Sequence, residues 1–234
     1  MLEPDVIYKD KDILVINKPS GLQVHAAKIS AAAQARAGTV RETPATLVDW
    51  LLEHYPGVRS VGDEPMLRPG IVHRLDKETS GVMLVALNQK SFEYLKSLFQ
   101  GHEIKKTYLA MVAGVPKEKQ GTIDAPIGIQ NGTMKRSIRS AKMAKPAVTA
   151  YRVIKTLTGD DGARRSLLEV RPQTGRTHQI RVHLASIGHP VLGDRLYGPK
   201  KPLPWVSRLM LHALSIEFTD AAGKRVKFEA EAPF

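Results

Sequence analysis

Residues 73–87 read HRLDKETSGVMLVAL, and this stretch decides how the remainder of the chain is interpreted. Its first nine residues are mostly polar, whereas residues 82–87 form a continuous apolar run that predicts a buried β-strand. A loop with charged side chains therefore lies directly before an element of the core. From composition alone, Asp76 would be interpreted as a turn residue whose carboxylate accepts hydrogen bonds from following backbone amides or from Thr79 and Ser80.

The pattern downstream of this stretch predicts helices and, increasingly, strands. Asn88 is a suitable N-cap for a helix whose apolar residues recur at helical spacing, and Gly101 would end it. Apolar spacing over residues 180–187 predicts a second amphipathic helix, ended by Gly188. Strands are predicted near residues 106–112, 147–157, 164–171, 209–218 and 225–230.

The pattern upstream predicts a β-hairpin, an insertion and a short helix. Two apolar pieces at residues 6–8 and 13–16 are separated by a polar turn. The alanine-biased segment that follows has little apolar periodicity, so residues 26–45 are expected to form a mobile inserted loop that becomes ordered on RNA. Residues 46–54 show helical spacing.

The order of these elements predicts the fold class. They show neither the regular alternation of a doubly wound fold nor a pure β pattern, which favours an α+β fold with a mixed, mostly antiparallel β-sheet and a few flanking helices around a central cleft. No internal repeat or linker is evident in the sequence, so residues 1–234 are expected to form a single catalytic domain.

Charge is the first indication of a partner. The formal net charge is +12, with an isoelectric point near 9.9, which favours a polyanion. The excess is concentrated in residues 121–234, which contain 19 basic and 9 acidic side chains, against 16 and 14 in residues 1–120. No acidic residue interrupts residues 125–159, so this segment is either a solvated basic face or a surface that contacts phosphates.

Several common chemistries are disfavoured by the sequence. Glycine-rich nucleotide motifs, the HExxH zinc motif and the GxSxG nucleophile motif are all absent, and the chain contains no cysteine. His178 and His183 are five residues apart, which on a helix would point them about 140° apart, so structural or RNA-contacting roles are favoured over a metal site. No apolar run of about 18 residues and no secretory signal are present, which favours the cytoplasm.

The segment HRLDKETSG resembles the signature H-R-L-D-x-x-[TS]-S-G of the RluA-type pseudouridine synthases, a family of RNA uridine isomerases. All seven specified positions agree, which is far more specific than a lone glycine motif. The resemblance covers most of the catalytic domain. It does not include the small RNA-binding domain that precedes the catalytic domain in many relatives. The other similar segments are ILVINKPSG at 13–21, KKTYLAMVAG at 105–114, TGRTHQIRVHLASIGHPVLGD at 174–194 and LMLHA at 209–213.

The resemblance implies roles for individual residues. Asp76 matches the catalytic aspartate, Tyr108 the tyrosine that packs on the target uracil, and Arg181 the basic residue that pairs with the aspartate. Arg74 matches an arginine that helps to displace the target nucleotide in some relatives. Substrate contacts are also expected from His73, Lys106, Arg176 and Leu211. Without the resemblance, Tyr108 would be a half-buried strand aromatic, Arg181 a helix-surface cation and Leu211 part of the core.

The implied reaction agrees with the composition. Pseudouridine formation breaks the glycosidic bond of a uridine in RNA, turns the uracil and rejoins it through C5, which requires no redox cofactor, energy source or metal. The expected partner is ribosomal or transfer RNA, with no membrane and no small-molecule cofactor, and the expected state is a monomer. The target uridine would have to be extruded from its stack.

Two other classes of function remain open at the level of sequence. A noncatalytic RNA-binding or chaperone protein on the same fold would not need the Asp76 carboxylate. A carboxylate-dependent RNA glycosidase or nuclease would release uracil or cut the strand.

Overall fold

The computed structural model describes residues 2–26, 45–130, 135–139, 142–159, 162–198 and 205–234. The loop predicted at residues 26–45 lies outside the described residues except for its two ends. The predicted hairpin is present as β1 (Asp5–Lys9) and β2 (Ile13–Lys18), which pair antiparallel.

The two helices predicted in the first half of the chain are present and have side-chain caps. Helix α1 (Leu47–His54) begins after Thr46, whose side chain accepts a hydrogen bond from the Asp49 amide in a capping box. Helix α2 (Gln89–Gln100) begins after Asn88 with the same arrangement and ends at Gly101. A short 3₁₀ helix at Pro56–Ser60 was not predicted.

The other predicted strands and the third predicted helix are also present. The helix α3 (Gln179–Ser186) begins after His178 and is followed by Ile187 and Gly188, one residue earlier than the spacing predicted. The strands are β3 (Ser80–Ala86), β4 (Lys105–Ala113), β9 (Val148–Thr158), β10 (Arg164–Pro172), β11 (Leu211–Thr219) and β12 (Arg225–Glu229).

Four short strands were missed by the sequence analysis. The segment between β4 and β9 contains β5 (Gln120–Asp124), β6 (Ile127–Ile129), β7 (Arg136–Ser137) and β8 (Lys142–Lys145). These strands have two to five residues each, and glycine and proline interrupt the segment, so no alternating pattern is long enough to indicate them.

The described strands form a large sheet and a small one. In the nine-stranded sheet the order is β1-β2-β3-β11-β4-β10-β9-β5, with β12 paired to β11, and the small sheet has the order β7-β6-β8. The pair β3–β11 is parallel and the other pairs are antiparallel. The prediction of a mixed, mostly antiparallel sheet with a few helices is confirmed.

Strand β3 lies in the middle of the core, which fixes the loop before it. All seven of its residues are buried. Met83 and Val85 pack in the cluster that contains α1, and Val82 and Leu84 pack with α2 on the other face. The polar loop at residues 73–79 is therefore attached to a strand that is buried along its whole length.

None of the described helices is long and apolar enough to cross a membrane.

Candidate active site

A cavity of about 490 Å³ opens beside the loop that precedes β3. Its walls come from this loop, from β4, from the turn before α3 and from the start of β11. It is large enough for a flipped nucleotide and combines apolar and charged walls, as ligand cavities do. Seven of the eight predicted site residues line it: His73, Arg74, Asp76, Lys106, Tyr108, Arg176 and Leu211.

The eighth residue, Arg181, lies behind the cavity and contacts Asp76. The Nη1 of Arg181 donates a hydrogen bond to Oδ2 of Asp76 at 3.0 Å. The Arg181 side chain is only 4% exposed, so it is a buried cation on α3, and the simple reading of it as a helix-surface cation is wrong. The ion pair expected from the resemblance is present.

A second carboxylate, which the sequence analysis missed, fixes the Arg181 guanidinium. Asp194 accepts from Nε and Nη2 of Arg181 at 2.7 and 2.8 Å, a bidentate arrangement. Burial by itself would raise the pKa of Asp194, but the hydrogen bonds and charge of Arg181, with the amides of Leu196 and Tyr197, lower it. Asp194 is the last residue of the similar segment at 174–194. The signal that could have indicated its role is that a buried arginine needs a buried partner.

Strand β4 provides one wall of the cavity. Lys106 and Tyr108 are two residues apart on the strand, so their side chains emerge on the same face and both reach the cavity. Burial raises the pKa of the Tyr108 hydroxyl, and the Asp76 carboxylate acts in the same direction, so the phenol is neutral. Burial lowers the pKa of Lys106. Leu211, on the neighbouring strand β11, pairs with Ala110 of β4 and adds apolar surface.

The two neighbouring signature residues, His73 and Arg74, take different positions. His73 accepts a hydrogen bond at Nε2 from the Leu84 amide at 2.9 Å and stacks on Phe99 with ring centroids 4.6 Å apart. Burial, with a smaller effect of Lys106, lowers the pKa of His73 to about 3. His73 is thus a neutral wall residue tied to β3. Arg74 is exposed at the cavity, with Nη1 3.4 Å from Nε2 of His25.

His178 and His183, for which the sequence disfavoured a shared metal site, have different surroundings in the structure. His178 lines the cavity, with Nε2 3.9 Å from Oδ2 of Asp76. His183 is buried and contacts Oγ1 of Thr149 and the Ala125 carbonyl, each at 2.9 Å. Within the part of the chain that the structure describes, no group of three His, Cys, Asp or Glu side chains is placed to hold a metal ion.

A buried lysine, also missed, contacts the polar loop at residues 73–79 from behind. The Lys18 ammonium is fully buried and donates to the carbonyls of Pro19 and Leu22 at 2.8 Å and to that of Lys77 at 3.1 Å. Burial lowers its pKa to about 7, against the opposing effects of Glu78 and Asp76. The segment after β2 is thereby joined to the residue that follows Asp76.

The comparisons with known proteins agree with this geometry. The family model described as RNA pseudouridylate synthase matches residues 12–186. The chain is 40% identical over 238 residues to ribosomal large subunit pseudouridine synthase D of Zymomonas mobilis, covering 98% of this chain and 69% of that protein. It is 37% identical over 245 residues to the protein of the same name from Pseudomonas aeruginosa, with 99% and 69% coverage. The solved structure of human RNA pseudouridylate synthase domain containing 1 superposes with a TM-score of 0.77 at 28% identity, covering 100% of this chain and 85% of that one.

Fold and site together define an RNA-modifying isomerase. The chain belongs to the RNA pseudouridylate synthase family. Its reaction is the isomerisation of uridine to pseudouridine in RNA.

Proposed function

We propose that the chain isomerises uridines in large-subunit ribosomal RNA, as a cytoplasmic monomer without a cofactor. The observation that carries the proposal is the Asp76 carboxylate, which faces a cavity of nucleotide size with Arg181 at 3.0 Å behind it and Tyr108 in the same wall. The names of the Zymomonas and Pseudomonas relatives support ribosomal RNA of the large subunit as the substrate.

In the proposed reaction the N1–C1′ bond breaks and a C5–C1′ bond forms. One proton leaves C5 and one is gained at N1, so the base is neither oxidised nor reduced. Asp76 either attacks C1′ or removes the 2′ proton to give a glycal-like intermediate; attack at C6 of uracil is a third route. In each route Arg181 holds the carboxylate in place through its hydrogen bond to Oδ2.

The remaining wall residues hold the loose base and its phosphates. The Tyr108 ring stacks on the uracil while it turns, and its neutral hydroxyl is available for a proton transfer. Leu211 and His73 complete the apolar side. Lys106 and Arg176 contact phosphates, and the exposed Arg74 takes the space that the flipped nucleotide leaves.

A basic strip beside the cavity extends the RNA contact. It consists of Arg136, Arg139 and Lys145, which lie on or near β7 and β8. The strip begins at the cavity, since the Arg136 amide donates to the Tyr197 hydroxyl, which contacts His178. Because the strip consists of cations, its contacts would be with phosphates and would carry little sequence information.

The test uses total ribosomal and transfer RNA lacking pseudouridine, in buffer with EDTA. After incubation with the protein, new pseudouridines are mapped by carbodiimide-dependent reverse-transcription stops. We expect one or a few new stops in large-subunit ribosomal RNA. The Asp76→Asn variant should give no stops while it retains most of the RNA affinity, because only the reacting carboxylate is lost.

Each competing function predicts a different result in the same experiment. Released uracil or a cut strand would show a glycosidase or a nuclease. RNA binding without any new stop would show a noncatalytic RNA-binding protein. Stops confined to transfer RNA would contradict the proposed substrate but not the reaction.

A further inference from the structure

His178 is held in an unusual conformation at the edge of the cavity. Its backbone has φ +58° and ψ +18°, the left-handed region that is uncommon for residues other than glycine, asparagine and aspartate. It precedes α3 directly, yet its side chain makes no capping hydrogen bond to that helix. The conformation therefore directs the ring away from the helix end and into the cavity, toward Asp76.

The groups around His178 determine which of its nitrogens carries the proton. The Tyr197 oxygen accepts from the Arg136 amide at 2.8 Å and lies 2.9 Å from Nδ1 of His178. The phenol oxygen could accept from both groups, but the Asp76 carboxylate beside Nε2 favours a proton on that nitrogen, so the phenol donates to Nδ1. Burial lowers the pKa of His178, against the opposing effect of Asp76, so the ring is neutral at pH 7. The neutral ring consequently carries its proton on Nε2.

The Nε2–H of His178 faces Asp76 but makes no hydrogen bond to it. The distance of 3.9 Å from Nε2 to Oδ2 is too long for a hydrogen bond. Among the described residues no other acceptor is in hydrogen-bond contact with Nε2. The donor is thus directed into the space where the sugar of the target nucleotide must lie.

The chemistry of the reaction identifies the acceptor that enters this space. If Asp76 acts on the ribose, it reacts at C1′ or at the proton on C2′. The 2′-oxygen is one bond from C2′ and two bonds from C1′, so both routes bring it close to the Asp76 carboxylate. A hydroxyl that lies near Oδ2 can accept from the neighbouring Nε2–H.

From this geometry we infer that His178 donates a hydrogen bond from Nε2 to the 2′-hydroxyl of the target uridine and makes the enzyme distinguish ribose from deoxyribose at that nucleotide. The inference rests on the proposed function and deepens it, because it assigns recognition of the sugar to a side chain that the family signature does not include. A 2′-hydroxyl is the group by which a protein distinguishes RNA from DNA at a single position.

The experiment measures the affinity of two unreactive product RNAs. Both are the stem-loop around a uridine mapped in the previous experiment; one carries pseudouridine at the target position and the other 2′-deoxypseudouridine. The wild-type protein should bind the ribose form about fivefold to tenfold more tightly, the effect of one hydrogen bond to a donor that is otherwise left unpaired. Competition with a labelled RNA gives both dissociation constants.

The variants form a double-mutant cycle between the protein and the RNA. His178→Asn tolerates the left-handed backbone but its amide is too short to reach, so it should bind both RNAs equally. His178→Gln, whose amide reaches further, should restore part of the preference. Tyr197→Phe removes the hydroxyl that fixes the tautomer and should reduce the preference while it leaves the His178 backbone unchanged. The matched control is His102→Asn, since His102 also has φ +58° and also lines the cavity; it should leave the ribose preference unchanged.

The outcomes separate this inference from the proposed function. If His178 has only a structural role, His178→Asn should weaken the binding of both RNAs by the same factor, and this result would overturn the inference. A wild-type protein that binds both RNAs equally would overturn it too. If the wild-type protein makes no pseudouridine in the unmodified stem-loop, the proposed function fails instead. Thermal unfolding of each variant shows whether it is folded.

Discussion

At the scale of single residues, the geometry of the site depends on how Arg181 is shared between two carboxylates. Arg181 is buried between two carboxylates, and each would be costly to bury alone. Although burial opposes it, the hydrogen bonds and charge of Asp194 and Asp76 raise the pKa of Arg181, so it stays charged. The bidentate pair with Asp194 uses Nε and Nη2, which leaves Nη1 directed at Asp76. Asp194 therefore positions the guanidinium that contacts Asp76, the carboxylate proposed to react.

The substitution Asp194→Asn tests this role. The amide keeps one acceptor but leaves the buried Arg181 without its charge partner, so we expect a loss of about 3 kcal/mol in the free energy of unfolding. The guanidinium would also turn, and kcat should fall at least tenfold while KM changes little. Urea unfolding and single-turnover kinetics measure the two effects.

A control for Asp194→Asn is Glu169→Gln. Glu169 pairs with Arg152 and Arg171, whose side chains are 60% and 64% exposed, and such pairs contribute little. The control should change the stability by less than about 1 kcal/mol. Equal losses in the two variants would contradict the positioning role of Asp194.

The residues that the sequence could predict are those whose roles follow from a local motif. Asp76, Tyr108 and Arg181 were predicted because the resemblance implies a role for each of them, whereas it implied none for Asp194 or Lys18 in the similar segments; the structure brings Asp76 and Arg181 into contact. Asp194 and Lys18 were missed. Asp194 contacts Arg181, 13 residues away along the chain. Of the three carbonyls that Lys18 contacts, that of Lys77 is 59 residues away. Only the folded chain therefore shows that these buried groups have partners.

At the scale of elements, Gly81 allows β3 and β11 to approach. Its φ is +115°, and a methyl group there would collide with backbone atoms of Ala213 on β11. The preceding residue, Ser80, also contacts β11, with Oγ 2.8 Å from Nδ1 of His212. This parallel pair joins the end of the polar loop at residues 73–79 to the strand that carries Leu211.

The substitution Gly81→Ala should separate these two strands. Backbone atoms cannot move aside as a flexible side chain can, and alanine is also strained at this φ, so we expect a loss of about 3 kcal/mol or more in unfolding free energy. Thermal unfolding and pseudouridine formation should both be impaired. The matched control is Gly57→Ala, where a methyl group meets no atom within 4 Å and stability should stay the same or rise slightly. A folded, fully active Gly81→Ala variant would contradict the argument.

The junction between β2 and the polar loop at residues 73–79 should make stability depend on pH through Lys18. Its pKa of about 7 in the folded protein is below the usual 10.5 of the unfolded chain. Between these values the unfolded chain binds a proton that the folded chain binds only in part, so stability rises with pH; below pH 7 both states bind it and the contribution is constant. From pH 7 to pH 9, wild type should gain about 2 kcal/mol relative to Lys18→Met, by urea unfolding at both pH values. A difference that does not change with pH would contradict the assignment.

Prediction of the elements succeeded where a local signal was long. Helices α1 and α2 have capping residues and helical spacing, and β3 falls on the run of six consecutive apolar residues at 82–87. Strands β5 to β8 lack such signals, because their pairing is set by β9 and by one another across turns. The 3₁₀ helix at Pro56–Ser60 is too short to show a period.

At the scale of the whole molecule, charge is distributed differently in space than along the chain. Residues 125–159 contain no acid, which suggested a face without carboxylates. In the structure, however, Glu169 on β10 lies 3.2 Å from Arg152 on β9, so that expectation is wrong at this position. Strand pairing brings in a residue that is 17 positions away. Arg152 is therefore not counted among the cations of the basic strip.

The dependence of RNA affinity on salt measures how many of these cations contact phosphates. Arg139 and Lys145 are both exposed and lie near the small sheet beside the cavity. Each phosphate contact adds about 0.7 to 0.9 to the slope of log affinity against log salt. The double variant Arg139→Ala, Lys145→Ala should therefore lower the slope by about 1.5 and weaken binding in low salt. The charge-matched control is Lys11→Ala, Lys224→Ala, in the β1–β2 and β11–β12 turns, where Lys11 lies at the opposite edge of the large sheet. Equal changes of slope in the two double variants would show that net charge, and not the basic strip, attracts the RNA.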